Sequence, residues 1–420
     1  MRPDLSDHPI LIVDDEVANL ELMERFLRRK YKKVVVAQDS EQALWYLETQ
    51  GVHLIIADQR MPKVEGIELL MQARQLQPNA MRILLTGYMD VETLTSAINA
   101  AQVFQVVTKP IDFKVLDITV QRALEAHEAI DRERELFDAF VYASVTAMEQ
   151  RDPTTAGHSF RVALMTTGLA MAVDRLDDGL FADVKFSREE IEQIKYASLL
   201  HDFGKLSVPE DVLLKPKKLP ASRSLLLEQR IRHAVVEGRL DAPGAARLVE
   251  VVARLNEPGE RSSQHAADLE LLERSELLEP EDLGYLRFEQ GSLSPDERKL
   301  IEGHVLGTVR FLKQIPWPRR LSRVVEIAAG HHEKLNGSGY PLGTTAVPIE
   351  SRMMTICDVY DALCASDRPY RVAASHERAM GILTHMRNDG EIDGGLLDVF
   401  VERRVYQVLK HRNPLRERRV

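Results

Sequence analysis

Short apolar runs alternate with helical patterns over the first 130 residues of this chain. Four of the runs, within the segments ILIVDDE, HLIIAD, RILLTG and VFQVVTKP, have the length and composition of buried strands. Amphipathic segments such as residues 41–47 lie between them. This alternation predicts an α/β fold, a doubly wound parallel sheet, in which ligands bind at the carboxyl ends of the strands.

Polar residues end each of the predicted strands. Asp14 and Asp15 follow the first strand, Asp58 ends the second, Thr86 the third and Lys109 the fourth. Carboxylates that meet at one edge of a sheet repel one another, so a hard cation such as Mg²⁺ is expected among them. The strand ends therefore predict a site for a metal ion and a phosphoryl group.

With these five positions, residues 6–126 resemble the receiver domain of two-component response regulators, and we assign residues 1–126 to this domain. The resemblance implies that Asp58 is the phosphoacceptor and attacks the phosphohistidine of a cognate sensor histidine kinase. It implies further roles for the other four side chains: Asp14 and Asp15 would bind Mg²⁺, and Thr86 and Lys109 would contact the phosphoryl oxygens.

Two further expectations follow from the receiver resemblance. The peptide bond between Lys109 and Pro110 should be cis. Val106 stands where receivers usually carry an aromatic switch residue, three positions before the lysine. Signalling through Thr86 is therefore expected to differ in detail.

A long helix is predicted to follow the receiver. From Asp112 the chain contains neither Gly nor Pro until Pro153, and apolar residues recur among charges at near-helical spacing. We expect a connecting helix over residues 112–146. Its apolar stripe could pair with a second copy in a homodimer and transmit phosphorylation, or it could pack on its own second domain.

Helical patterns dominate residues 137–413, so this half is predicted to be mainly α-helical. The clearest patterns cover residues 191–200, 297–314, 320–332, 351–363 and 377–386. Seven residues with metal-ligand chemistry lie within or beside such patterns: His158, His201, Asp202, His304, His331, His332 and Asp358. An unpaired imidazole or carboxylate is costly to bury, and metal coordination would remove that cost. Neighbouring imidazoles with a bridging carboxylate can hold two metals for phosphodiester hydrolysis.

The motifs HDFGK, HHE, GSGYP and ASDRPYR, in this order, resemble the HD-GYP phosphodiesterase family, a branch of the HD superfamily. The resemblance implies a dinuclear phosphodiesterase site. One metal would be bound by His158, His201, Asp202 and Asp358, and Asp202 would bridge to a second metal bound by His304, His331 and His332. Iron or manganese suits such ligands better than magnesium, and the ligands alone also admit zinc. Because histidine ligands must be neutral, we expect metal loss below about pH 6.

Four residues are expected to contact the substrate. Lys205 follows Asp202 at helical spacing and could reach a phosphate oxygen, so these two are the expected catalytic residues. Tyr340 of GSGYP could hydrogen-bond a phosphate, or the Gly-Tyr-Pro segment could be a purely structural turn. Arg368 and Arg371 resemble phosphate or guanine contacts of the family, although either could be a salt-bridged surface residue.

The chain departs from the family pattern at three places. Thr154 replaces a carboxylate that some members use for a third metal, so two metals are expected. Asn336 replaces the usual Asp of the DGSGYP run, which removes a charge beside the site. A helical insertion over residues 220–291 contains two helical patterns, 225–237 and 246–255, and is expected to form a lid or a dimer contact. We interpret its His233 and His265 as ordinary polar residues.

Composition limits the remaining possibilities. A chain of 420 residues that is 44% hydrophobic can form two or three domains. It has no apolar stretch of roughly 18 residues and no signal-peptide pattern, so a cytoplasmic protein without membrane segments is expected. The net charge of −10 argues against nonspecific DNA binding. Cys357 and Cys364 are expected to be free thiols.

Together these features predict a response regulator that hydrolyses cyclic di-GMP to pGpG or GMP under control of Asp58 phosphorylation. One alternative is a catalytically weak module that binds a cyclic dinucleotide or a diguanylate cyclase partner. Another is hydrolysis of 3′,3′-cyclic GMP-AMP, because the motifs do not define the base pocket.

Overall fold

The computed structural model describes residues 4–87, 99–151, 156–258, 264–288, 291–365 and 373–411. The chain divides into two compact units, Met1–Ala139 and Phe140–Val420. No helix in these described segments is long and apolar enough to cross a membrane.

The first unit contains a five-stranded parallel sheet in the order β2-β1-β3-β4-β5. The strands are β1 Ile10–Val13, β2 Val34–Ala37, β3 Leu54–Asp58, β4 Met81–Thr86 and β5 Gln105–Thr108. The helices described in it are α1 Val17–Leu27, α2 Ser40–Thr49, α3 Gly66–Leu76 and the beginning of α4 Phe113–Arg151. The doubly wound α/β prediction is confirmed. Our sequence reading missed β2, although its run of three valines was a usable strand signal.

Both faces of this sheet are buried, which explains why its strands are continuously apolar. Ile10 and Ile12 pack with α1 and α4 residues on one face, whereas Leu11 and Val13 pack with α2 and α3 residues on the other. A parallel strand covered by helices on both sides has no polar face to signal its period. Its polar residues are therefore left to the strand ends.

Helix α4 is continuous over 39 residues, a length of about 58 Å at 1.5 Å per residue. Its last turns contribute to the second unit, where Val141, Val145 and Met148 are buried. Leu136 and Phe140 are exposed. The end of the apolar stripe thus packs on its own second unit, and pairing with a second copy stays a prediction.

The second unit is helical throughout the residues described, as expected. Its α-helices are α5 His158–Asp174, α6 Arg188–Leu200, α7 Glu210–Leu213, α8 Ala221–Val236, α9 Ala242–Asn256, α10 His265–Arg274, α11 Pro280–Arg287, α12 Pro295–Glu302, α13 His304–Leu312, α14 Val324–Ala329, α15 Ile349–Cys364, α16 His376–Asn388, α17 Gly394–Glu402 and α18 Val408–His411. Short 3₁₀ helices cover Phe203–Ser207, Arg319–Leu321 and Val405–Gln407. Cys357 and Cys364 are free thiols.

The prediction of one helix over residues 297–314 is wrong, because α12 and α13 meet at Gly303 as two helices. A side-chain bond spans this junction. The Nδ1–H of His304 donates to the carbonyl of Ile301, 2.6 Å away. The backbone N–H of Gly303 is directed to the same carbonyl, in the last turn of α12.

The described residues of the inserted segment contain four helices, α8 to α11, where the sequence indicated two. They share a hydrophobic core of their own, which includes Leu227, Leu248 and Leu272. Arg254 and Asp268 join α9 to α10 through two hydrogen bonds of 2.8 Å. The insertion is therefore a small helical subdomain rather than a loop.

Candidate functional site

The predicted receiver residues meet at the carboxyl edge of the sheet. The ligand oxygens of Asp14, Asp15 and Asp58 lie within 4.8 Å of one another. Lys109 Nζ lies 2.6 Å from Asp58 Oδ1 and 3.4 Å from Asp14 Oδ2. Thr86 is buried at the end of β4, and its carbonyl accepts the backbone N–H of Lys109 at 2.8 Å. Three carboxylates, one ammonium and one hydroxyl are thus held at one edge.

Burial and neighbouring charges shift the pKa values of the receiver residues in opposite directions. Burial and the carboxylates of Asp14 and Asp15 raise the pKa of Asp58, although Lys109 acts in the opposite direction. Burial would lower the pKa of Lys109, but its bond to Asp58 raises it. An excess of negative charge remains, which a cation bound among the three carboxylates would neutralise.

Backbone geometry supports this edge. The Lys109–Pro110 peptide is cis, as predicted. Gly66, at the start of α3, lies directly against the backbone of Asp58. A Cβ at this position would lie 2.0 Å from the Asp58 carbonyl oxygen, so only glycine fits here. Val106 is partly buried and packs against the hydrophobic core.

The second unit brings together all seven predicted metal ligands in two adjoining groups. His158, His201 and Asp358 form one group, in which the ligand atoms lie within 4.8 Å of one another. The other group has the same spread and consists of Asp202, His304, His331 and His332. These residues come from different helices and turns, and most of them are buried.

Asp202 lies between the two groups. Its Oδ1 is 3.2 Å from His304 Nε2 and 4.0 Å from His331 Nε2. Its Oδ2 is 3.5 Å from His201 Nε2 and 3.9 Å from His158 Nε2. Each carboxylate oxygen therefore faces a different set of imidazoles, which is the geometry that a bridging ligand requires.

The ring orientation of three histidines is fixed by backbone carbonyls. His201, His304 and His331 each direct Nδ1 to the carbonyl three residues earlier, at 2.6–2.7 Å. Because a carbonyl only accepts, each Nδ1 carries the proton and Nε2 is left with a lone pair. His201 Nε2 is buried and has no hydrogen-bond partner among the described residues. Such an orphaned nitrogen fits a metal ligand.

The protonation states of the HD site residues follow from burial and from neighbouring charges. Burial lowers the pKa of His332 to about 4 and that of His331 well below its usual range, and neighbouring imidazoles add to the shift of His331. Burial would raise the pKa of Asp202, but Lys205 and His201 hold it well below its usual range. Neutral imidazoles and an ionised carboxylate are the forms that bind metals.

His158 differs from the other imidazoles. Burial alone would lower its pKa, but hydrogen bonds to Asp358 and Asp361 raise it to about 9. Its Nε2 lies 3.0 Å from Asp358 Oδ1, and its Nδ1 lies 2.7 Å from Asp361 Oδ2. Arg161 in turn donates two hydrogen bonds to the Asp361 carboxylate, at 2.7 and 3.0 Å. A proton must leave His158 before it can bind a metal.

Sequence reasoning missed three residues that position His158. Asp361 and Arg161 orient its ring, and the buried carboxylate of Glu149 accepts the backbone N–H groups of Gly157 and Ser159 where α5 begins. Asp361 was within reach of sequence reasoning, because it follows Asp358 by three residues and so lies on the same helix face. Glu149 and Arg161 carry no comparable signal.

Lys205 and Tyr340 both lie at the site. Lys205 is on a 3₁₀ helix rather than an α-helix, and its Nζ is 2.5 Å from Asp202 Oδ2. The Tyr340 ring packs on His332 with centroids 4.7 Å apart. A Cβ on Gly339 would lie 2.4 Å from the backbone nitrogen of Lys334, so only glycine allows this approach. The turn thus both shapes the backbone and holds Tyr340 against a ligand imidazole.

Asn336, which stands where the family usually has an aspartate, takes part in a local hydrogen-bond network. It is exposed, its Oδ1 accepts from the backbone and hydroxyl of Ser338, and its Nδ2 donates to the Asp389 carbonyl at 3.0 Å. An aspartate could not make that last bond. Asn336 therefore stabilises the GSG turn. Thr154, Arg368 and Arg371 lie outside the described residues.

Comparisons with known proteins agree with this architecture. The family model for the response regulator receiver domain matches residues 10–121, and two HD domain models match residues 155–279 and 224–396. The chain is therefore a response regulator that joins an N-terminal receiver domain to a C-terminal HD domain.

Two similar proteins match nearly the whole chain, and a third matches part of it. A probable cyclic di-GMP phosphodiesterase of Vibrio cholerae is 27% identical over 95% of this chain and 78% of its own length. The cyclic di-GMP phosphodiesterase response regulator RpfG of Xanthomonas campestris is 25% identical over 90% of this chain and 83% of its own. The 3′3′-cGAMP-specific phosphodiesterase 2 of Vibrio cholerae is 29% identical over 57% of this chain and 29% of its own length.

Proposed function

We propose that this response regulator hydrolyses cyclic di-GMP to pGpG or GMP at a dinuclear metal site in its HD domain. The observation that carries the proposal is the position of Asp202 between two groups of imidazoles, one of which includes the orphaned His201 Nε2. His158, His201, Asp202 and Asp358 would hold one cation, and Asp202, His304, His331 and His332 the other. Iron or manganese suits this set of nitrogen and oxygen donors.

When bound, the two cations would neutralise the phosphodiester and lower the pKa of the attacking water. The chain itself would position the substrate. Lys205, whose ammonium neutralises Asp202, would direct its charge to a nonbridging phosphate oxygen. Tyr340 would donate a hydrogen bond from its hydroxyl group to a second phosphate oxygen. Burial raises the pKa of Tyr340, which keeps this hydroxyl protonated.

The receiver would control this activity. Asp58 would accept a phosphoryl group from a sensor histidine kinase, with Mg²⁺ held by Asp14, Asp15 and Asp58. Lys109 and Thr86 would stabilise the added charge. A homodimer and a diguanylate cyclase partner stay predictions.

The test is turnover of cyclic di-GMP by protein purified anaerobically with iron or manganese. The double variant His201→Ala/Asp202→Ala should lose about 10³-fold or more, because metal ions supply several kcal/mol of transition-state stabilisation. The exposed pair His233→Ala/Glu237→Ala, whose side chains lie 3.2 Å apart in the insertion, is the matched control. Absence of product above the double variant's background would exclude the enzyme and favour the cyclic dinucleotide-binding module.

Hydrolysis of 3′,3′-cyclic GMP-AMP is a second candidate, favoured by the similarity to the cGAMP-specific relative. The same assay with both dinucleotides separates the two. A larger kcat/KM for cyclic GMP-AMP would reassign the substrate and leave the metal site intact.

A further inference from the structure

We propose that the receiver domain contains a separate divalent cation site of the zinc type, formed by His8, His53 and His127. One ligand atom of each imidazole lies within 4.8 Å of the other two. His8 and His53 precede β1 and β3, and His127 lies on α4. The cluster is therefore at the amino ends of the strands, whereas Asp58 lies at their carboxyl ends.

Two ring nitrogens of this cluster call for a ligand. His53 Nδ1 and His127 Nδ1 are buried and have no hydrogen-bond partner within the described part of the chain. Asp131 Oδ2 lies 3.2 Å from His127 Nδ1, but without the alignment of a hydrogen bond. His127 is 4% exposed, so bulk solvent does not reach it. Buried polar atoms are nearly always satisfied, and a cation would satisfy both at once.

The chemistry of the cluster fits zinc. Burial and the neighbouring His127 lower the pKa of His53 to about 4, and burial also lowers the pKa of His127. Both rings are therefore neutral near pH 7, the form that binds metal. Glu128 Oε2 lies 3.2 Å from His8 Nε2, so two carboxylates border the imidazoles. Nitrogen and carboxylate oxygen are zinc ligands.

Closing the site requires a small movement. Zinc binds imidazole nitrogen at about 2.0–2.1 Å, and the three ligand atoms already lie within 4.8 Å of one another, so any approach needed is short. His53 and His127 already stack with centroids 4.2 Å apart. His8 already packs edge-on against His53, with ring centroids 4.9 Å apart. The bound cation would link α4, through His127, to the amino ends of β1 and β3.

The test counts zinc in the full-length protein. Wild type, His53→Gln, His8→Gln and the control His233→Gln, an exposed imidazole beside Glu237, are stripped with a chelator and dialysed against zinc chloride. Bound zinc is then measured by mass spectrometry. All four proteins share the HD site, so its zinc cancels in the comparison. Wild type and His233→Gln should each hold one more zinc per chain than His53→Gln or His8→Gln.

Equal zinc in all four proteins, or a loss in His233→Gln, would overturn the proposal. Phosphorylation of Asp58 by acetyl phosphate reports whether the receiver of each variant is folded. If His53→Gln fails this check, His8→Gln decides the outcome, because His8 lies at the edge of the cluster and its loss leaves the stacked pair intact.

Discussion

The receiver edge and the HD centre each hold several acidic or imidazole side chains in a small volume, and they differ in how these side chains are brought together. At the receiver edge, three carboxylates face one lysine that is 30% exposed, and all lie at the ends of neighbouring strands. In the HD centre, seven predicted ligands come from helices and turns far apart in the sequence, and His201 Nε2 has no hydrogen-bond partner among the described residues. The receiver edge is formed by the ends of its strands, and the sheet alone places its side chains together. The HD centre leaves a buried imidazole nitrogen without a partner among the described residues, which a bound cation would satisfy.

The strongest test of this contrast is Asp58→Asn. Amide nitrogen cannot replace the attacking carboxylate, so phosphorylation by acetyl phosphate should be abolished, while basal turnover in the HD centre should stay unchanged. Phosphate-affinity electrophoresis and a turnover assay measure the two. Asp39→Asn is the matched control, since asparagine caps α2 as well as aspartate does. A loss of basal turnover in Asp58→Asn would show that the two sites are not separable.

Asp361→Asn should weaken metal binding by about 10–100-fold, the usual effect of losing a carboxylate that orients a ligand histidine. The physical reason is that Asp361 fixes the ring of His158. Competition with a chelator measures the affinity. Asp398→Asn, which weakens the exposed pair with Arg387, is the control and should have no effect. Equal affinities would show that the helix alone orients His158.

Metal affinity should rise about tenfold per pH unit from neutral pH up to about 9. His158 is protonated in the metal-free protein below that pH, and one proton must leave when the cation binds. In the metal-free protein this raised pKa stabilises the fold below about pH 6.5 and the contribution is lost as the pH rises through about 9. Manganese titration calorimetry in two buffers counts the released proton. No proton release would contradict the assignment.

The raised pKa of His158 refines the expectation of metal loss below pH 6. His331 and His332, with lowered pKa values, resist protonation in acid. The first proton to compete with metal is the one on His158, so affinity should begin to fall well above pH 6.

Tyr340→Phe should have the smallest effect, about a fivefold rise in KM, which corresponds to roughly 1 kcal/mol for one hydrogen bond. Phenylalanine keeps the ring packed on His332, so the turn should be retained. Steady-state kinetics with cyclic di-GMP measure KM, and Tyr406→Phe, away from the metal ligands in sequence, serves as the control. An unchanged KM would make Tyr340 part of a structural turn only.

Sequence reasoning reached the receiver residues because their position follows a local rule. Asp14, Asp58, Thr86 and Lys109 end parallel strands, and such ends meet at one edge. It reached the HD ligands through motifs instead, because nothing in the spacing of His158 and Asp358 brings them together. The prediction of a single helix over residues 297–314 was wrong because hydrophobic periodicity does not show a helix boundary such as the one at Gly303, where His304 donates to the Ile301 carbonyl.

The sequence by itself determined the order of the two domains, the continuous connecting helix and the seven candidate metal ligands of the HD domain. Only the tertiary structure decided which oxygen of Asp202 faces each group of imidazoles, and that Asp361 and Arg161 hold His158. It alone brought His8, His53 and His127 together. The physical reason is that periodicity reports the burial of one element at a time, whereas a site depends on distances between elements that are far apart in the chain.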